Sequence, residues 1–163
     1  MVTNLNKKNT MLKRILPLLL VIGLLCACAP TNSETALANY TVSTQPPAIT
    51  ADDNSGLVYF FRPKSSGLFG AWYTVKEGNN EIAVMKNNTY LIHKALLGKH
   101  NYHAKNEFSS SVDINVTPNS VTFIECNIRP GFIVANPSLK IVDKDRFDEK
   151  VKQMEYVVRT PKQ

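Results

Sequence analysis

The chain is poor in the residues and patterns that build catalytic and cofactor sites. It has three cysteines, three histidines, one tryptophan and seven glycines among 163 residues. It contains no G-x-x-x-x-G-K-[ST] and no G-x-G-x-x-G, so there is neither a phosphate-cradling loop nor a dinucleotide fingerprint. Ser65-Ser66-Gly67 lacks the G-x-S-x-G strand-to-helix context of a nucleophile elbow. Asp52, Asp53, Asp143, Asp145 and Asp148 lack the loop spacing and turn glycine that calcium requires. Acidic residues are missing altogether before Cys28. The formal net charge of +6 is therefore misleading if that segment is removed. Lys7, Lys8, Lys13 and Arg14 precede Cys28, and without them fifteen basic residues face thirteen acidic ones, a balance of +2. Such a remainder gives no electrostatic case for nucleic acid.

The scarcity of cysteine also excludes a disulfide framework. Cys126 has no intramolecular partner once Cys26 and Cys28 are accounted for below, and a lone thiol is expected to be buried as a small apolar residue. The histidines offer little more. On a strand, His100 and His103 fall on opposite faces, and with His93 they show no fixed ligand spacing. No metal and no cofactor are expected.

What is present is one long apolar run. Leu16 to Ala29 reads LPLLLVIGLLCACA, behind the basic pair Lys13, Arg14. A basic region, an apolar region and small residues at a cut are the parts of a signal peptide. The run falls short of the roughly 20 apolar residues a spanning helix needs, and Pro17 and Gly23 weaken it further. Leu25-Cys26-Ala27-Cys28 reads as a lipobox, with cleavage before Cys28 and a diacylglycerol on its thiol. Cys26, preceded by Leu25, is the poorer fit to a small-residue site. Met11 is an alternative start, because MLKRILPLLL is a complete opening by itself. Several acyl chains, at about 0.8 kcal/mol per buried CH₂, anchor without a transmembrane helix.

Residues 28–54 are rich in Thr, Ser, Asn, Ala and Pro and read as a lipidated, flexible tether. Tyr40 and Val42 are an alternative docked strand. From residue 55 the texture changes. Leu57 to Pro63, LVYFFRP, is a strand apolar on both faces. Ala71–Glu77 and Glu81–Lys86 form a hairpin about Gly78-Asn79-Asn80. Thr89–Leu96 is ambiguous after an extended start. Lys99–Lys105 alternates with His100, Tyr102 and Ala104 on one face, and Ser111–Thr117 with Val112, Ile114 and Val116 inward. Val121–Ile128 is a strong strand, and after FIVANP comes a short one at Leu139–Asp143. Asp145–Val157 then switches to three- and four-residue steps through Phe147, Val151 and Met154, which predicts an amphipathic helix with Asp145 as its N-cap. This helix either docks on the sheets or meets a partner.

The fold class expected is all-β: a single antiparallel β-sandwich of the immunoglobulin-like or PEGA-like kind with a C-terminal α-helix. The sandwich spans 55–158, with a signal peptide at 1–27 and a tail at 159–163. Candidate binding residues are Leu68 and Phe69, an apolar pair between glycines, and the neighbouring Trp72. That loop either marks an interaction site or folds back on the sandwich. Arg62 and Arg129, each beside a proline at a strand end, either tie loop carbonyls together or hold an anion.

LVYFFRP after a lipobox and tether, the turn at Gly78-Asn79-Asn80, NTYLIHKALLGKHNYHAK and GFIVANPSLKIVD, in that order, resemble Gram-negative envelope lipoproteins that carry a small β-sandwich domain of unknown function. The similarity covers about residues 56–150. The chain departs from the usual Asp-Gly in the hairpin turn, and has Pro118-Asn119-Ser120 where a Gly commonly follows the strand. The resemblance implies a lipid anchor and a sandwich, and no activity. Ala29 in place of Asp after Cys28 implies, by the same resemblance, an outer-membrane anchor facing the periplasm. The function expected is a lipid-anchored, non-catalytic binding or structural module contacting an envelope protein, glycan or membrane. An envelope hydrolase or metal-dependent enzyme is the alternative, and it requires His93, His100 or His103 to converge with a carboxylate.

Overall fold

A computed structural model describes residues 40–43, 45–65 and 70–159, all within one compact unit spanning 35–163. Among the described residues there are ten strands: β1 (Tyr40–Ser43), β2 (Ser55–Arg62), β3 (Tyr73–Glu77), β4 (Asn80–Met85), β5 (Thr89–Leu96), β6 (Gly98–Lys105), β7 (Ser109–Val116), β8 (Val121–Arg129), β9 (Asn136–Val142) and β10 (Glu155–Arg159), with one helix, α1 (Lys144–Val151), between the last two. They form a six-stranded sheet in the order β1-β10-β5-β2-β8-β9, facing a four-stranded sheet in the order β4-β3-β6-β7. The expected all-β sandwich with a helix near the C-terminus is the observed architecture.

β2 explains the layering. Val58 and Phe60 point into the core between the sheets, while Phe61 and the half-buried Tyr59 point to the outer face. The continuous apolar run is what a strand covered on both sides requires. The outer cover is α1, whose Phe147 packs against Phe123, Tyr59, Phe61 and Tyr90 at ring-centroid distances of 4.9, 5.1, 5.2 and 5.9 Å.

Three details depart from the sequence reading. The large sheet is mixed: β2 pairs β8 and β5 pairs β10 in parallel, because β8 returns after the β6–β7 excursion in the other sheet and β10 after the helical crossover. The helix ends at Val151, not Val157, and its N-cap is Asp143, whose carboxylate accepts from the Arg146 amide at 2.8 Å. Glu155–Arg159 is a strand instead, because Tyr156, Val157 and Val158 fill the slot between β5 and β1. Lastly, the tether does not run unbroken to residue 54: the alternative of a docked strand at Tyr40 and Val42 is the one observed, with the Tyr40 ring buried in the core.

β2 and β8 finish, and β5, β9 and β10 start, at one end of the sandwich. Arg62 brings the start of β3 and the finish of β4 to the same end, donating through Nη1 to the Ala71 carbonyl at 2.5 Å and the Met85 carbonyl at 3.3 Å. The β6–β7 turn lies there too. The chain enters β1 from the other side, so this end is the distal one.

Candidate functional site

The distal end carries an apolar projection. Between β8 and β9, Phe132 is 96% and Ile133 90% exposed, with Val134 and, on the neighbouring β6–β7 turn, Phe108 also exposed. Apolar side chains standing this clear of a folded surface are an interaction signal when they are grouped. These are grouped, and their backbone is fixed. Glu107 accepts hydrogen bonds from three consecutive amides: Phe132 to Oε2 at 2.9 Å, Ile133 to Oε1 at 2.6 Å and Val134 to Oε1 at 3.3 Å. The Asn136 side-chain amide donates to Oε2 at 3.1 Å, and its carbonyl oxygen accepts from the Phe108 amide at 2.8 Å. Asn106 closes the arrangement by donating to the Ala135 carbonyl.

The electrostatics follow from this cradle. Burial works to raise the Glu107 carboxyl, but the Ile133 amide, the Asn136 side chain and the Phe132 and Val134 amides outweigh it and hold the group below the ordinary glutamate value. Gly131 is required by close approach, since a Cβ there would collide with the Val134 carbonyl, Glu107 Oε2 and Asn136 Nδ2. The result is a stiff loop that displays greasy side chains on a backbone already satisfied.

The sequence-expected site residues divide. Arg129 is exposed at the end of β8 and flanks the projection. Arg62 is 1% exposed and ties together the ends of β3 and β4, so of its two readings the carbonyl tie is the one observed, and the anion site gives way to an interior clamp. Trp72 is half-buried and packs on the main core, which removes it from an exposed apolar patch. Leu68, Phe69 and Cys28 lie outside the described residues. Phe132, Ile133 and Phe108 are not among the sequence candidates, because FIVANP reads as a lead-in to the next strand and Phe108 stands alone among polar residues. The available signal was an apolar triplet enclosed by Pro130-Gly131 and Asn136-Pro137, a loop by its borders and a core by its content.

The histidines come together only in part. His93 and His100 flank the Tyr102 ring, and His103 points to the other face of β6. Glu77 Oε1 lies 2.7 Å from His100 Nδ1, and His100 Nε2 lies 2.8 Å from the Leu96 carbonyl. Both ring nitrogens are thus committed within the fold, at the turn that joins β5 to β6. Burial pushes the His93 imidazole down, Glu77 opposes this and His100 adds to it. Among the described residues no three His, Cys, Asp or Glu side chains are placed to hold a metal. Cys126 is fully buried, and burial pushes its thiol up to about 12, which keeps it protonated.

A polar cleft of about 420 Å³ lies beside the end of α1, lined in part by Lys64, Asn88, Glu125 and Arg146. Its charges face one another: Arg146 donates to both Glu125 oxygens, at 3.1 and 2.8 Å, and to Glu149 at 3.1 Å. Burial raises the Glu125 carboxyl, and Arg146 and Asn127 bring it below its ordinary value. This reads as a structural ion pair locking α1 to β8.

The class that fold and site define is an all-β sandwich with one helix-covered face and an apolar loop at its distal end. Compared with protein-family models, with curated proteins and with solved structures, the chain matches none.

Proposed function

We propose that this chain is a lipid-anchored envelope lipoprotein whose sandwich is a non-catalytic binding or structural module, akin to the Gram-negative envelope lipoproteins it resembles. The observation that carries the anchor is Leu25-Cys26-Ala27-Cys28 at the close of the apolar run. No described helix is long and apolar enough to cross a membrane. The observation that supports a binding role is the clamped apolar loop, whose exposed Phe132 and Ile133 contribute nothing to the core. An outer-membrane location facing the periplasm, and a protein, glycan or membrane as the object bound, belong to the same reading. No cofactor enters it.

The test is Cys28→Ser in cells fed labelled palmitate. The native chain is expected to take up label and to float with the outer membrane on a density gradient, and the variant to do neither. Label retained by the variant overturns the anchor.

A further inference from the structure

We infer that the loop at Phe132 and Ile133 is a second membrane contact, inserting into the interface of a bilayer that carries anionic headgroups. The shape argues first. Phe132 and Ile133, at 96% and 90% exposure, form a knob with no wall around it among the described residues. A knob fits a fluid partner that closes around it, whereas an extended peptide needs a groove. The backbone argues next. The Glu107 cradle fixes the loop before contact, so insertion orders nothing further.

Charge decides between surfaces. Lys105 ends β6 and Arg129 ends β8, both exposed on either side of the knob. Lys64 and Lys86 follow β2 and β4 at the same end. Opposing them are Glu155, Glu149 and Glu107; Glu149 is paired with Arg146 and Lys150, and the Glu107 carboxylate is turned inward onto amides. Apolar residues rimmed by Lys and Arg are the signature of an interfacial anchor on anionic lipid, where each basic residue near the surface adds to the attraction. Another exposed apolar pair, Leu96 and Leu97, lies at the opposite end with Asp52, Asp53, Glu77 and Glu81; Lys99 and Arg159 are there too, and Lys94, paired with Asp52 at 2.7 Å. That end suits an anionic surface less. This contact goes beyond the lipid anchor and does not depend on it.

The test uses the compact unit from Thr35 to Gln163, which holds both hydrophobic clusters and lacks Cys28. Sedimentation with phosphatidylethanolamine–phosphatidylglycerol vesicles is expected, with binding to phosphatidylcholine vesicles weaker by about tenfold or more. The double variant Phe132→Asp, Ile133→Asp is expected to abolish sedimentation, and Leu96→Asp, Leu97→Asp to leave it intact. Absence of binding, binding indifferent to the first pair, or loss through the second pair overturns the inference. Phe132→Trp, a milder change, gives an independent measurement: brominated lipid is expected to quench the introduced indole, and an unquenched indole counts against insertion. A photo-crosslinker at position 133 in intact cells is expected to capture lipid. A protein adduct in its place would assign the knob to a protein partner and end the membrane reading.

Discussion

A carboxylate that accepts from three consecutive amides loses its hold when protonated, so the order of the Phe132 to Val134 loop is tied to the ionisation of Glu107. The folded group titrates below the ordinary glutamate value. Its stabilisation is therefore fully present above that ordinary value, and is lost as pH falls through the lowered one. Protection factors for the Phe132, Ile133 and Val134 amides are expected to hold at neutral pH and to collapse in that acidic window. Glu107→Gln, which keeps one acceptor oxygen and no charge, is expected to lower them by roughly tenfold at neutral pH. Unchanged protection in the variant would show that the loop is held by something else. The cradle was not legible in the sequence, since Glu107 lies 25 residues before Phe132 and becomes its neighbour only through the β6–β7 turn. Arg62 was legible in part. A guanidinium beside Pro63 at a strand end suggested carbonyl ties, but that those carbonyls belong to Ala71 and Met85 is a fact of packing between two sheets.

Elements with one dominant signal were legible, and elements with two were not. β2 was plain because an eight-residue strand with both faces covered cannot disguise its composition. β6 and β7 were plain because alternation fixes the inward face, with Tyr102, Ala104, Ile114 and Val116 all buried. The C-terminal segment carried two overlapping signals. Phe147 and Val151 have helical spacing, and Met154 and Val158 continue it by number while packing on the same outer cluster, Met154 from the residue before β10 and Val158 from within it. Asn88 settles the break: its side chain donates to the Gln153 carbonyl at 2.7 Å, and its carbonyl accepts from the Glu155 amide at 3.0 Å, seating the start of β10 beside β5. The helix itself depends on one residue. It is eight residues long, too short to persist by propensity alone, and Phe147 is its buried side chain, with four aromatic neighbours. Phe147→Ala is expected to cost about 3–5 kcal/mol in urea unfolding, with α1 amides losing protection before the sheets do. A loss below about 1 kcal/mol would mean that α1 is not the cover of the outer face.

At the scale of the whole molecule, the N-terminal boundary of the domain governs what the two proposed membrane contacts can do together. With β1 in the sheet, eleven residues lie between Cys28 and Tyr40, and the twelve steps span at most about 43 Å even fully extended. The knob sits at the far corner of the sandwich, across five strand spacings, about 24 Å, and along one strand length, about 26 Å. The diagonal of roughly 35 Å is within that span. A lipid at Cys28 and the knob can thus meet one bilayer, and the sandwich then lies across the surface instead of standing on its entry strand. All of this assumes that β1 is part of the folded unit. β1 is four residues long and caps an edge, but it buries Tyr40 and pairs along its whole length with β10. A chain beginning at Gln45 is expected to unfold about 2 kcal/mol more easily than one beginning at Thr35, chiefly from the lost burial of Tyr40. It is also expected to associate at high concentration through the uncovered β10 edge. Coincident urea midpoints for the two chains would place the boundary after β1, lengthen the reach from Cys28 accordingly, and release the sandwich from lying flat.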